Sequence, residues 1–101
     1  MSIKLTPIKK MNENNIRSKV VKYLKRRGIM YATFNTAHFP DIIIFFDGNC
    51  LLIEFKAYIN GAYRVTSGQK SIMKKLKQQS MSVMVMDNNS DYETLLNMRL
   101  S

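Results

Sequence analysis

The sequence predicts an α/β domain: a central mixed β-sheet flanked by helices, in the order α-β-β-β-α-β-α. Three observations predict it. Two apolar runs, Asp41–Phe46 and Cys50–Ala57, are joined by "DGN", whose Asp and Gly tolerate the backbone of a tight turn. Helical apolar stripes precede and follow this pair, and a further hydrophobic strand, "SVMVMD", comes after the second helix. At 101 residues the chain is expected to form one domain, 1–101, with a single core and no room for a second.

Residues 1–11 are basic, carry Pro7 and lack periodicity, so they read as a flexible arm or a short edge element. The first helix is expected from Asn12, a good N-cap, with Ile16, Val20, Tyr23 and Leu24 as its apolar stripe and Gly28 as its stop. "MYATFN", Met30 to Asn35, reads as a strand, followed by a polar link to Pro40. The uninterrupted hydrophobicity of the next two runs suggests central strands covered on both faces. "YINGAYRV" reads as a loop. The second helix opens at Ser67 behind a capping box of Thr66 and Gln69, with Ile72, Met73 and Leu76 inward and Lys70, Lys74 and Lys77 outward. The last helix, in "SDYETLLNMRL", is expected to open with a second capping box, Ser90 and Glu93.

Sixteen Lys and Arg against seven Asp and Glu give a formal charge of +9. Its distribution is uneven: residues 1–28 hold nine basic side chains and one acid, whereas Asp41–Lys56 holds three acids and one base. A basic field around a small acidic island favours a polyanion, nucleic acid ahead of an anionic membrane surface. The single Cys50, among Leu51, Leu52 and Ile53, permits no internal disulfide and reads as a small buried hydrophobe in a reducing compartment. The opening "MSIKLTPIKK" lacks an apolar signal segment and no run is long enough to span a bilayer, so a soluble intracellular protein without a membrane partner is expected, in cytoplasm or nucleoid.

The chemistry concentrates where charge interrupts hydrophobicity. Glu54 and Lys56 stand inside an apolar strand, where a charge costs several kcal/mol unless it is paired. Strand alternation puts both on one face, with Phe55 on the other. Asp41 opens the neighbouring antiparallel strand, so the hairpin returns Glu54 and Lys56 to its side. Two carboxylates and an ammonium at one place suit Mg²⁺ or Mn²⁺, which take one or two carboxylates with waters and substrate phosphate.

"PD", Pro40 and Asp41, followed after twelve residues by "EFK", Glu54 to Lys56, resembles the PD-(D/E)xK nuclease motif. The amphipathic "ENNIRSKVVKYLKRRG", the "VTSGQK" that opens the second helix and the strand "SVMVMD" make it similar to the virus-type replication-repair nuclease domain, VRR-NUC, over about Asn12 to Asn88. The resemblance implies a restriction-endonuclease-like core and a Mg²⁺- or Mn²⁺-dependent DNA endonuclease, similar in its small members to homodimeric Holliday-junction resolving enzymes. It further implies that Asp41 and Glu54 bind metal with the main-chain carbonyl of Phe55, that Lys56 is the catalytic lysine, and that Gln69 lies near the scissile phosphate. The acid of the family's first helix aligns with Glu13 or with Asn14. In "AHFPD" this chain has His38 where the family often has a glycine shortly before the motif.

Each candidate has a plainer explanation. An Asp before a strand is commonly a turn residue, and Glu13 in a first helical turn would be favoured by the macrodipole alone. Gln69 is accounted for by its capping box. Lys70, Lys74 and Lys77, the Lys25, Arg26 and Arg27 cluster and Arg64 are candidates for DNA contact or simply solvated surface. The eight methionines, Met84 and Met86 among them, read as core filling. The expected activity is cleavage of branched DNA by a homodimer. Its rivals are a nuclease-like nucleic-acid-binding module without turnover and an RNA-processing nuclease.

Overall fold

A computed structural model describes residues 8–100 of the chain, with side chains from Asn12 onward. Among these residues the elements are α1 (Ile8–Arg26), β1 (Met30–Thr33), β2 (Ile42–Phe46), β3 (Asn49–Lys56), α2 (Ser67–Gln78), β4 (Ser82–Asp87) and α3 (Tyr92–Leu100), the order expected from the sequence. They form an α/β domain around one four-stranded mixed sheet of order β1-β2-β3-β4. The first three strands pair antiparallel, and β4 joins β3 in parallel through the α2 crossover.

The helix stripe forms as the spacing requires: Ile16, Val20, Tyr23 and Leu24 of α1 are all buried. They meet Ile42, Ile44, Leu51, Ile53, Phe55 and Met86 from one face of the sheet, with Leu96 of α3 completing the core. Truncating a fully buried member such as Leu24 to alanine costs about 2–5 kcal/mol. Met86 fills this core and Met84 packs beside it, as expected of the methionines. The hairpin closes with Phe46 opposite Asn49, and Asp47 and Gly48 both adopt positive φ, which a two-residue turn of this hand demands.

Four expectations need correction. α1 begins at Ile8, so Asn12 lies inside the helix rather than capping it, and residues 8–11 are helical; the proposed arm otherwise lies outside the described residues. The strand expected to reach Asn35 ends at Thr33, although the Phe34 N–H still donates to the Asp41 carbonyl at 2.9 Å. At α3 the capping side chain is Asp91, whose Oδ1 accepts the Thr94 N–H at 3.2 Å; the Ser90 hydroxyl instead accepts the Asp87 N–H at 2.9 Å. Finally, coverage on both faces holds for β3 and not for β2. α2 packs against β4, its Ile72, Met73 and Leu76 only half-buried, and leaves Met30 and Phe45 exposed on the same side of the β1–β2 pair. Cys50 is likewise half-buried, its sulfur 4.0 Å from that of Met81.

Candidate active site

Glu54 and Lys56 are two residues apart on β3, and alternation turns both toward α2. They are 4% and 6% exposed, the two buried charged side chains among the described residues, and they pair at 3.4 Å. At that burial the pair needs further hydrogen bonds to offset its desolvation. Gln69 supplies them. Its Nε2 donates to Glu54 Oε1 at 3.0 Å, and its Oε1 accepts from Lys56 Nζ at 2.6 Å. The same Oε1 accepts the Thr66 N–H at 3.1 Å, while Thr66 Oγ1 accepts the Gln69 N–H at 3.2 Å, so the expected capping box is formed. One amide therefore both starts α2 and ties that helix to the buried pair.

Asp41 follows the buried Pro40 and joins the start of β2 to β3 through its own N–H, which donates to the Ile53 carbonyl at 2.9 Å. Its Oδ2 accepts the Phe55 N–H at 2.7 Å, which fixes the carboxylate beside the strand that carries Glu54 and Lys56. Phe55 itself sends its ring into the core on the opposite face. The hairpin thus gathers Asp41, Glu54 and Lys56, and α2 adds Gln69.

The electrostatics follow from burial. The Glu54 carboxyl is pushed up from 4.5 to about 7, first by removal from water and then by the Asp41 charge; the Lys56 ammonium pulls it down, and Glu13 adds a further upward push. Glu13 is therefore felt at the site. The earlier start of α1 also removes its plainer explanation, because the first turn contains no acid and the macrodipole effect fades beyond that turn.

A divalent cation fits what is present. The donors are hard carboxylate oxygens, and the raised Glu54 carboxyl shows that burial and the Asp41 charge outweigh the pull of Lys56 there. Among the described residues no three His, Cys, Asp or Glu side chains come close enough to hold an ion together. The fit is thus to a two-carboxylate site completed by water and phosphate, the coordination Mg²⁺ tolerates best. Glu13 does not join Asp41 and Glu54 as a third member of such a group.

The remaining candidates divide. Lys70, Lys74 and Lys77 are exposed along one side of α2, Lys70 next to Gln69. A depression lined by Tyr63, Arg64, Val65, Thr66, Ser67 and Lys70 shares Lys70 with a second one lined also by Met73, Lys74, Lys77 and Gln78, so Arg64 and the three lysines border adjoining surface depressions. Lys25, Arg26 and Arg27 are exposed at the far end of α1. Arg27 is engaged structurally: it donates to Asn97 Oδ1 at 2.6 Å and to the Tyr23 hydroxyl, and it lies 5.3 Å from the Tyr23 ring centroid. The exposed His38, at φ 66°, packs its ring against Gly68, where a Cβ would come within 2.6 Å of Nδ1. His38 therefore stands at the rim, one residue from Gln69 across the contact.

The sequence reading missed Arg17, which it counted only among the nine basic side chains of residues 1–28. Its Nη2 donates to Asp41 Oδ1 at 2.7 Å. The available sign was its spacing, four residues after Glu13 and so on the same side of the helix. Compared with known proteins, the chain matches no family model and no curated protein.

Proposed function

We propose that this chain is a Mg²⁺- or Mn²⁺-dependent endonuclease that hydrolyses phosphodiester bonds in DNA, built as a VRR-NUC-like member of the PD-(D/E)xK group. The observation that carries the proposal is the buried Glu54–Lys56 pair, 4% and 6% exposed, with Asp41 fixed beside it by the Phe55 N–H. Burying two opposite charges costs more than an apolar pair of similar volume, which makes a purely structural purpose a poor account of them.

A divalent ion held by Asp41 and Glu54, with the Phe55 carbonyl, supplies Lewis acidity and a lowered pKa for water. Lys56, now bonded to Gln69 and Glu54, would donate to the attacking water or to a phosphate oxygen as charge develops there. Gln69 holds the ammonium in place, and the family resemblance puts it near the scissile phosphate. Glu13 contributes negative charge from α1. Arg64, Lys70, Lys74 and Lys77 grip neighbouring phosphates without reading bases, and Lys25 and Arg26 extend the positive field.

The substrate proposed is branched DNA such as a Holliday junction, cut in a repair setting inside the cell. A domain of 101 residues presents few contacts to a four-way junction, and a two-fold pair of sites matches two opposed strands; a homodimer is proposed on that ground. Among the described residues no helix is long and apolar enough to cross a membrane.

A second reading, a nucleic-acid-binding module without turnover, is favoured by one observation: Arg17 already occupies an oxygen of Asp41. The deciding experiment incubates pure protein with labelled four-way junction, flap, linear duplex, single-stranded DNA and RNA in Mg²⁺, Mn²⁺ or EDTA, beside Asp41→Ala and Lys56→Ala. Metal-dependent cleavage by wild type alone, with binding kept in both variants, supports the nuclease. Binding without cleavage of any substrate supports the module, and cleavage confined to RNA moves the substrate class.

A further inference from the structure

Asp41 is held at both oxygens. Oδ2 accepts the Phe55 N–H, a bond that belongs to the backbone geometry of the strand. Oδ1 is therefore the oxygen left for a cation, and it is taken by Arg17 Nη2 at 2.7 Å. The guanidinium also lies 5.6 Å from the centroid of the Phe55 ring, so two contacts hold it at the site. Its side chain is nevertheless 43% exposed and that of Asp41 25%, so neither is trapped.

The geometry points to Arg17 as the internal counter-cation of this site: it holds Asp41 Oδ1 in the metal-free protein, is displaced when a divalent ion takes that oxygen, and thereby sets how tightly the ion binds. The inference rests on the metal-dependent reading above. A guanidinium keeps its charge at any working pH and carries donors only, so it cannot share the oxygen with a dication without repulsion. An ion pair this exposed is weak enough to be exchanged. α1 brings both charges to the site: Arg17 reaches Asp41, and Glu13, one helical turn earlier, is felt at Glu54. On release, the arginine remains at the entrance, where the substrate brings phosphates.

The test measures Mn²⁺ binding to DNA-free protein by calorimetry and electron paramagnetic resonance, for wild type, Arg17→Met, Arg17→Lys and Asp41→Asn. Losing the competing cation should tighten Mn²⁺ binding roughly two- to fivefold in Arg17→Met, the scale of a part-exposed ion pair. Arg17→Lys, which keeps the charge, should stay near wild type, and Asp41→Asn should lose the site. In wild type, Mg²⁺ titration should shift the Arg17 Nε–H resonance, a readout that needs no variant to fold. Equal or weaker binding by Arg17→Met, or an Arg17 resonance unmoved at saturating Mg²⁺, overturns the inference while wild-type binding lost in Asp41→Asn leaves the metal site standing. No Mn²⁺ binding by wild type overturns the metal-dependent reading and the inference together.

Discussion

Lys56 Nζ and Gln69 Oε1 lie 2.6 Å apart and join β3 to the first turn of α2. The contact is made by the same amide that closes the helix cap, so the start of α2 and the position of the ammonium are fixed by one side chain. A capping residue chosen for helix stability alone would not need to reach a buried charge.

Gln69→Ala should therefore act on both. It leaves Lys56 and Glu54 short of a buried partner and opens the capping box, for a combined loss of about 2–4 kcal/mol. Cleavage should fall by about a hundredfold or more even where the variant is fully folded, as expected when a catalytic group loses its orientation. Urea denaturation and single-turnover rates with Mg²⁺ check the two effects separately.

The pH dependence of stability should carry the mark of Glu54. Folded, its carboxyl keeps a proton up to about 7; unfolded, it releases that proton near 4.5. Between these values the folded state binds more protons, so this contribution is fully present below about pH 4.5 and is lost as pH rises through about 7. Metal-free wild type should lose on the order of 3 kcal/mol across that window relative to Glu54→Gln. Chemical denaturation of both proteins at a series of pH values measures the difference, and parallel curves would remove the buried-acid account. Added Mg²⁺ should stabilise wild type more at about pH 8 than at about pH 5, because the ion requires the deprotonated carboxylate.

The basic residues should separate by location. Replacing Lys70, Lys74 and Lys77 with Gln should weaken DNA binding and flatten its salt dependence by about 0.9 in log–log slope for each phosphate no longer neutralised. Arg27→Gln should leave that slope unchanged and instead destabilise the protein by about 1–2 kcal/mol as its bonds to Asn97 and Tyr23 disappear. Fluorescence anisotropy over a salt series, with thermal unfolding alongside, distinguishes the groups.

Gly68 offers a test of the rim. Gly68→Ala drives a Cβ into the His38 ring and should displace it, at a net cost in stability. In a His38→Ala background the same change meets no ring, and the helix preference of alanine should make it stabilising by up to about 1 kcal/mol. A double-mutant cycle by denaturation reads this reversal of sign.

The hairpin, the buried stripe of α1 and the Thr66–Gln69 cap were legible because each depends on neighbours in sequence: turn residues at Asp47 and Gly48, helical spacing at Ile16, Val20, Tyr23 and Leu24, and a three-residue interval at the cap. The meeting of Asp41, Glu54 and Lys56 was legible for the same reason, as a hairpin converts chain separation into distance. The start of α1 was not, since four polar residues, Asn12 to Asn15, separate Ile8 and Met11 from the stripe that begins at Ile16. Nor was the Arg17–Asp41 contact, which spans two elements that no local pattern relates. The choice of Asp91 over Ser90 as the cap of α3 turned on the Ser90 hydroxyl being used at Asp87, a competition decided only once β4 ends.

Because α2 carries Lys70, Lys74 and Lys77 on its outside and Gln69 at its root, any displacement of that helix would reach Lys56 through a single amide. If these lysines grip a nucleic-acid backbone as proposed, a strand docked in the wrong direction would misplace the Lys56 ammonium by the same motion that a well-aligned one would use to seat it.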